Sequence, residues 1–435
     1  MKLIIFFCSL VGAIIFSVYY GNVINLSEKS YVNSIFFASL YGFVVYMLYP
    51  LIARFSLASP IGIYSTFLFY YYISGIFNIS EYRDYIDIGY WFSCLLVACG
   101  ALFFGNWLTG IVLGNSRGER IFFDVKYPYA LLIVAVLFAV YMYAKNGLLI
   151  ISPEDRFGSS TVVSYMCEIA IFSVAALYAH YIYNGGSLWF IPVGLFCVIA
   201  TGYRNQTAML LLAVVFIYFL SNRDKIVYSN KSRVYFSAIV SLILLLSSLS
   251  FISRNDNSLG RTLPWQDLVR YYNINNHDAV LPFLTIHMSA REGMGVSEIA
   301  LERIGDVGEF IDRKYLFFMD YLTMLPGESI TPGRVLGVVV NLRDDSSLTP
   351  SILGGLSISY GMPGIFVFFL ISGIIFGVLW KKFVLTRHPF YLMANSVFVV
   401  YMFELTNRGF FKPMYLFVFL IVIGFYVKNK NIRSD

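Results

Sequence analysis

The apolar residues of this chain gather into runs of roughly 17–25, the length an α-helix needs to cross a hydrocarbon core of about 30 Å. A backbone in lipid must satisfy its own hydrogen bonds, and these runs lack the short alternating pattern of barrel strands. They therefore specify an all-α polytopic integral membrane protein. Composition agrees: 58% of the 435 residues are hydrophobic and 13% charged, with a mean hydropathy of +0.71, whereas a soluble domain is nearer half apolar.

Twelve transmembrane helices are predicted, at about 3–20, 32–52, 57–78, 88–113, 128–144, 162–183, 187–203, 207–221, 234–253, 358–380, 389–406 and 412–427. The first follows Met1 and Lys2 directly and ends without a small-residue cleavage pattern, so it reads as an uncleaved helix. Between the seventh and eighth, "ATGYRNQTAM" leaves barely a turn. Lys and Arg then set the orientation. With the N-terminus inside, the cytoplasmic segments carry fifteen of them and the short outer loops seven. Both termini are expected in the cytoplasm, and the one long hydrophilic segment, 254–357, outside it.

The organisation is thus nine spans in 1–253, a large outer loop in 254–357, and three spans with a cytoplasmic tail in 358–435. The loop holds nine basic and thirteen acidic residues, so the formal charge of +6 belongs to the cytoplasmic face. Nucleic acid is not an expected partner; the lipid bilayer is. A structureless loop of this length is uncommon, and "VSEIALERIGDVGEFIDRKYLFFMDYLTML" repeats apolar residues at helical spacing through Val296, Ile299, Ile304, Val307, Ile311 and Tyr315. That helix would lie on the membrane surface or pack on its own domain.

The five cysteines all sit in apolar runs without a CxxC pair, and the four histidines are scattered. Neither a disulfide framework nor a metal site is expected. Three outward arginines stand beside helix ends: Arg156 in "SPEDRFGSS", Arg204 in "ATGYRNQTA" and Arg254 in "FISRNDNS". Arginine at such a boundary is often a snorkelling anchor. Arg204, between spans too close for an aqueous loop, is better placed to face a protein-lined cavity, where a guanidinium suits phosphate oxygens. Within the loop, "NNHDAVLPFLTIHMSAREGM" concentrates His277, Asp278, His287, Arg291 and Glu292, candidates for a general base or for a structural network. Glu168 and Glu404 are carboxylates at membrane depth near predicted outer helix ends. Such groups mark substrate paths or sit solvated at the interface.

The stretch "TPSILGGLSISYGMPG", 349–364, resembles the signature that follows the large periplasmic loop of Wzy-type O-antigen and oligosaccharide repeat-unit polymerases. Thr349, Pro350, Ser351, Gly354, Tyr360, Gly361 and Gly364 fall in step with it. "YAKNGLLIISPEDRFG" and "ATGYRNQTAMLLL" are similar to two earlier arginine-bearing segments of that family, and "MLPGESITPG" to a proline-rich element before the signature. The likeness spans roughly the last two thirds of the chain. Gly355 stands where the family often has Glu, and Ser357 and Ser359 where it often has Tyr and Asn, so a catalytic carboxylate within the signature is ruled out.

The resemblance implies a GT-C-like, metal-independent membrane glycosyltransferase without cofactors. It would join undecaprenyl-pyrophosphate-linked repeat units at the periplasmic face of the bacterial inner membrane, beside a chain-length regulator and a flippase. Arg156, Arg204, Arg254 and Arg291 would then meet pyrophosphate, with His287 or Asp278 as base. Thr349, Pro350, Tyr360, Gly361 and Gly364 would shape the cavity, with Pro363 bending the helix before its span proper. An O-antigen ligase shares the donor and architecture. A lipid-linked oligosaccharide flippase or other transporter is the reading from a different class, and the chain shows neither repeated halves nor uniformly short loops.

Overall fold

The computed structural model describes residues 59–76, 86–112, 123–147, 161–222, 284–324, 331–342 and 347–431. The spans predicted at 3–20, 32–52 and 234–253 lie outside them, as does the first part of the loop. Every regular element among the described residues is helical: α1 (Pro60–Ile76), α2 (Ile88–Val112), α3 (Lys126–Asn146), α4 (Thr161–Asn184), α5 (Phe190–Ile199), α6 (Arg204–Ser221), α7 (Leu284–Glu302), α8 (Ile304–Phe310), α9 (Arg313–Leu316), a 3-10 turn (Met319–Met324), α10 (Pro332–Asn341), α11 (Ser351–Thr386), α12 (Pro389–Arg408) and α13 (Pro413–Asn431). Helices α2, α3, α4 and α11 are long and apolar enough to cross a membrane.

The longest apolar helices lack a polar stripe because both lipid and neighbouring helices offer apolar surroundings. What brings them together is shape. Helix α11 packs along α2, where a side chain added at Gly373 would strike the backbone of Leu102, and one at Gly377 would strike Asn106 and Thr109. Small residues of this kind let two membrane helices approach backbone to backbone. Helices α4, α6 and α12 pack mutually, and α12 reaches α1 and α11.

At one end Phe123, just before α3, stacks on His180 near the end of α4 (5.7 Å) and faces His388 at the start of α12 (6.2 Å). The opposite end gathers the last turn of α1, the starts of α2, α4, α6 and α11, and the end of α12. The loop helices dock there, which makes it the loop end of the bundle.

Two elements depart from the sequence expectation. The span read at 187–203 is a helix of ten residues, Phe190–Ile199, about 15 Å long and so half a bilayer. It is followed by a buried turn in which Thr201 Oγ1 donates to the Val198 carbonyl (2.7 Å) and contacts Gln206. The continuous amphipathic helix expected from 296 onward is three shorter ones, broken at Arg303 and at Asp312, whose carboxylate caps α9 by accepting the Lys314 N–H. Its apolar face packs on its own domain: Val296, Ala300, Val307, Leu316, Val335 and Leu336 form a small core sealed by Ile358 of α11 and Phe410 beyond α12.

Candidate functional site

Three contacts fix the loop end. Glu298 of α7 accepts the backbone N–H of Asp87 (2.9 and 3.0 Å) and the indole N–H of Trp91 (3.0 Å), so a loop residue serves the exposed donors at the start of α2. His287, wholly buried, holds its Nδ1 2.6 Å from the carbonyl of Ser74 at the end of α1. A carbonyl only accepts, so Nδ1 carries the hydrogen. Burial pushes His287 down to about 4, and the ring is neutral at ordinary pH. The Tyr71 hydroxyl donates to the Ser289 carbonyl (3.0 Å) and lies 3.3 Å from Asn407 Oδ1, linking α1, α7 and α12.

The signature stretch lies at the centre of these contacts. Thr349 and Pro350 precede a helix that begins at Ser351, but its cap comes from α1. The Tyr72 hydroxyl donates to Ser351 Oγ (2.9 Å) and accepts the Leu353 N–H (3.0 Å). Ser297 Oγ lies 2.7 Å from the Pro350 carbonyl. A side chain at Gly354 would strike Ser297, and one at Gly355 the carbonyl of Gly409. At Gly355, backbone thus lies against backbone. Gly361 breaks α11 with φ 67° and ψ −163°, a region open essentially to glycine. Pro363 follows, unable to donate to the turn before it, and the span proper continues to Thr386. Tyr360, at the break, donates to the Lys314 carbonyl of the loop (2.6 Å).

Of the residues singled out in the sequence, Asp278, Arg156 and Arg254 lie outside the described residues, and Arg204 is the first residue of α6. His287, Arg291 and Glu292 share α7, as a helical reading of that stretch requires, and Arg291 is 4% exposed.

Glu168 and Glu404 belong to one charged cluster drawn from four elements. Lys412, between α12 and α13, reaches Glu404 at 2.7 Å, and Asn205, next to Arg204, donates to the same oxygen at 3.1 Å. Arg408, one turn beyond Glu404, and Asp320 of the 3-10 turn join them: the charges of Arg408, Lys412 and Glu404 all act on Asp320, whose carboxyl burial pushes up. Glu168 of α4 feels Glu404, Lys412 and Arg408.

The cluster contains groups without a bonding partner among the described residues. Glu168 is 6% exposed, yet no hydrogen bond or ion pair reaches its carboxylate among the described residues. Arg408 likewise makes none among them, and its buried Nε has no hydrogen-bond partner there. Buried charges are ordinarily paired. An acceptor-rich anion for the guanidinium and a hydroxyl donor for the carboxylate would complete both. Among the described residues no group of His, Cys, Asp and Glu is arranged to hold a metal ion.

Arg408, Lys412 and Asp320 were not singled out in the sequence, although Arg408 carried the signal that drew attention to Arg204: an arginine beside a glycine at a helix end. Glu404 and Arg408 are also spaced four apart, one above the other on a helix face.

Fold and composition define a helical membrane protein with its polar loop domain packed on one end of the bundle. No protein-family model, no curated protein and no solved structure matches the chain.

Proposed function

We propose that this protein polymerises undecaprenyl-pyrophosphate-linked oligosaccharide repeat units, passing the growing glycan from one lipid carrier onto the sugar of another at the periplasmic face of the inner membrane. Such a transfer needs cations to meet the departing pyrophosphate and a carboxylate or imidazole to take a proton from the acceptor hydroxyl. The observation that carries the reading is the charged cluster at the loop end: Arg408, which makes no hydrogen bond or ion pair among the described residues, and Lys412, paired with Glu404, stand beside the start of α6, where Arg204 lies, and act on the buried carboxylate of Glu168. Guanidinium and carboxylate side by side suit a ligand that is both phosphate and sugar. The arginine-bearing segments and the 349–364 signature occur in the order found in the polymerases.

Purified protein given a lipid-linked repeat unit is expected to produce a ladder of chain lengths. Arg408→Ala and Arg204→Ala should each lower chain growth by about 10²-fold, as loss of one charge-stabilising donor does elsewhere, while export of single units in cells continues. Products that never exceed one transferred unit would make the protein a ligase, and loss of export would make it a transporter.

A further inference from the structure

The polymerase reading needs a proton acceptor, and the groups at the loop end differ in what they have left to offer. His287 is wholly enclosed, with Nδ1 committed to the Ser74 carbonyl. Glu404 is already engaged, its Oε1 accepting from both Lys412 and Asn205. Glu168 differs from both. It sits seven residues into α4, about 10 Å below the helix start, on the side packed against α6 and α12, and it keeps both carboxylate oxygens uncommitted among the described residues.

We propose that Glu168 is the general base that deprotonates the acceptor sugar hydroxyl, an assignment that rests on the polymerase reading above. In the step, the hydroxyl proton passes to a Glu168 oxygen as the hydroxyl oxygen bonds to the anomeric carbon of the donor glycan. The bond from that carbon to the pyrophosphate oxygen breaks, and its electron pair leaves on undecaprenyl pyrophosphate, whose added charge Arg408 meets. The carboxylic acid then returns its proton to water.

The surroundings are arranged for this division of labour. Facing Glu168 are Glu404, Arg408 and Tyr401 from α12, Lys412 between α12 and α13, Tyr415 at the start of α13, and Tyr165 one turn earlier on its own helix. Asp320 of the 3-10 turn lies beside Tyr165 and Glu404. Two cations and the Glu404 carboxylate act on a carboxylate that, among the described residues, no group meets by direct contact. A carboxylate without hydrogen bonds keeps its lone pairs available to a proton donor, and Arg408 nearby keeps a leaving anion on the same side.

The test measures transfer rate and donor binding on the purified full chain in lipid nanodiscs, with a lipid-linked repeat unit as substrate, from pH 5 to 9. Wild type should show a rate that falls on the acid side as the base protonates. Glu168→Gln should bind the lipid-linked donor as wild type does, transfer about 10²–10⁴-fold more slowly, and lose that acid limb. Glu168→Asp, which keeps a carboxylate, should retain measurable transfer and the limb. Wild-type ladders with Glu168→Gln within about threefold of the wild-type rate, or with the acid limb intact, would overturn the assignment and leave the polymerase reading standing. Absence of any transfer by the wild type would overturn both.

Discussion

Substituting Gly355 by alanine tests whether the start of α11 is set by backbone contact with the end of α12. In a helix interior alanine is ordinarily better than glycine by about 0.5–1 kcal/mol. At Gly355 the added methyl would overlap the carbonyl of Gly409, and neither side is free to yield. Gly409 is the left-handed cap of α12, with φ 80°, and is itself pressed against Ser351. The α11 side is pinned by Tyr72 and Ser297. Overpacking of this kind costs about 1–3 kcal/mol, and a backbone obstacle places it in the upper part of that range. After the propensity gain, a net loss of about 1–2 kcal/mol remains. Gly110 near the end of α2 is the control, because a methyl there meets nothing within 4 Å, and alanine should add about 0.5 kcal/mol. Unfolding of both variants in detergent, followed by denaturant titration, should separate them by about 2 kcal/mol with opposite signs relative to wild type. A Gly355→Ala protein as stable as wild type would refute the contact.

Two further outcomes follow from the ionised groups. Lys412→Ala should destabilise the protein by about 2 kcal/mol, below the 3–5 kcal/mol of a fully enclosed pair because Lys412 is 24% exposed; a Glu404→Leu, Lys412→Leu double variant should recover most of the loss, and a cycle with no coupling energy would show that the pair contributes nothing. Burial raises Glu298 from its ordinary 4.5 to about 7, against the pull of Trp91 and the Asp87 N–H. A carboxyl raised on docking contributes stability that is full below about pH 4.5 and lost as pH rises through 7, so α7 should exchange its amide hydrogens more freely at pH 8 than at pH 5 after correction for intrinsic rates. Glu298→Gln should flatten that difference, and an unchanged pH dependence in the variant would assign it to another group.

Much of the bundle was legible because lipid imposes a one-dimensional code. Helices α2, α3, α4 and α11 follow from run length, and the break in α11 from Gly361 and Pro363. Helix α5 did not, because its apolar run continues into a turn whose Thr201 satisfies the backbone locally. The loop helices kept their apolar period but not their continuity, since periodicity records which face is buried and not where Asp312 caps a new start. The charged cluster was visible only in pieces. Glu168 and Glu404 each read as a substrate-path marker or a solvated interfacial group, and nothing local joins Glu404 to Asn205, 199 positions away. The cap of α11 by Tyr72 was equally hidden, a partnership across 281 positions.

The seal of the loop core by Ile358 and Phe410 sets an order of manufacture. The ribosome delivers α1 and α2 first, and their loop-end groups wait more than two hundred residues for His287 and Glu298. The loop, once made, must wait in turn for α11 and for Phe410 just beyond α12. It therefore finishes folding only when the final helices enter the bilayer, and synthesis halted before Phe410 leaves its apolar face open to water, a mark by which an unfinished chain is told from a complete one.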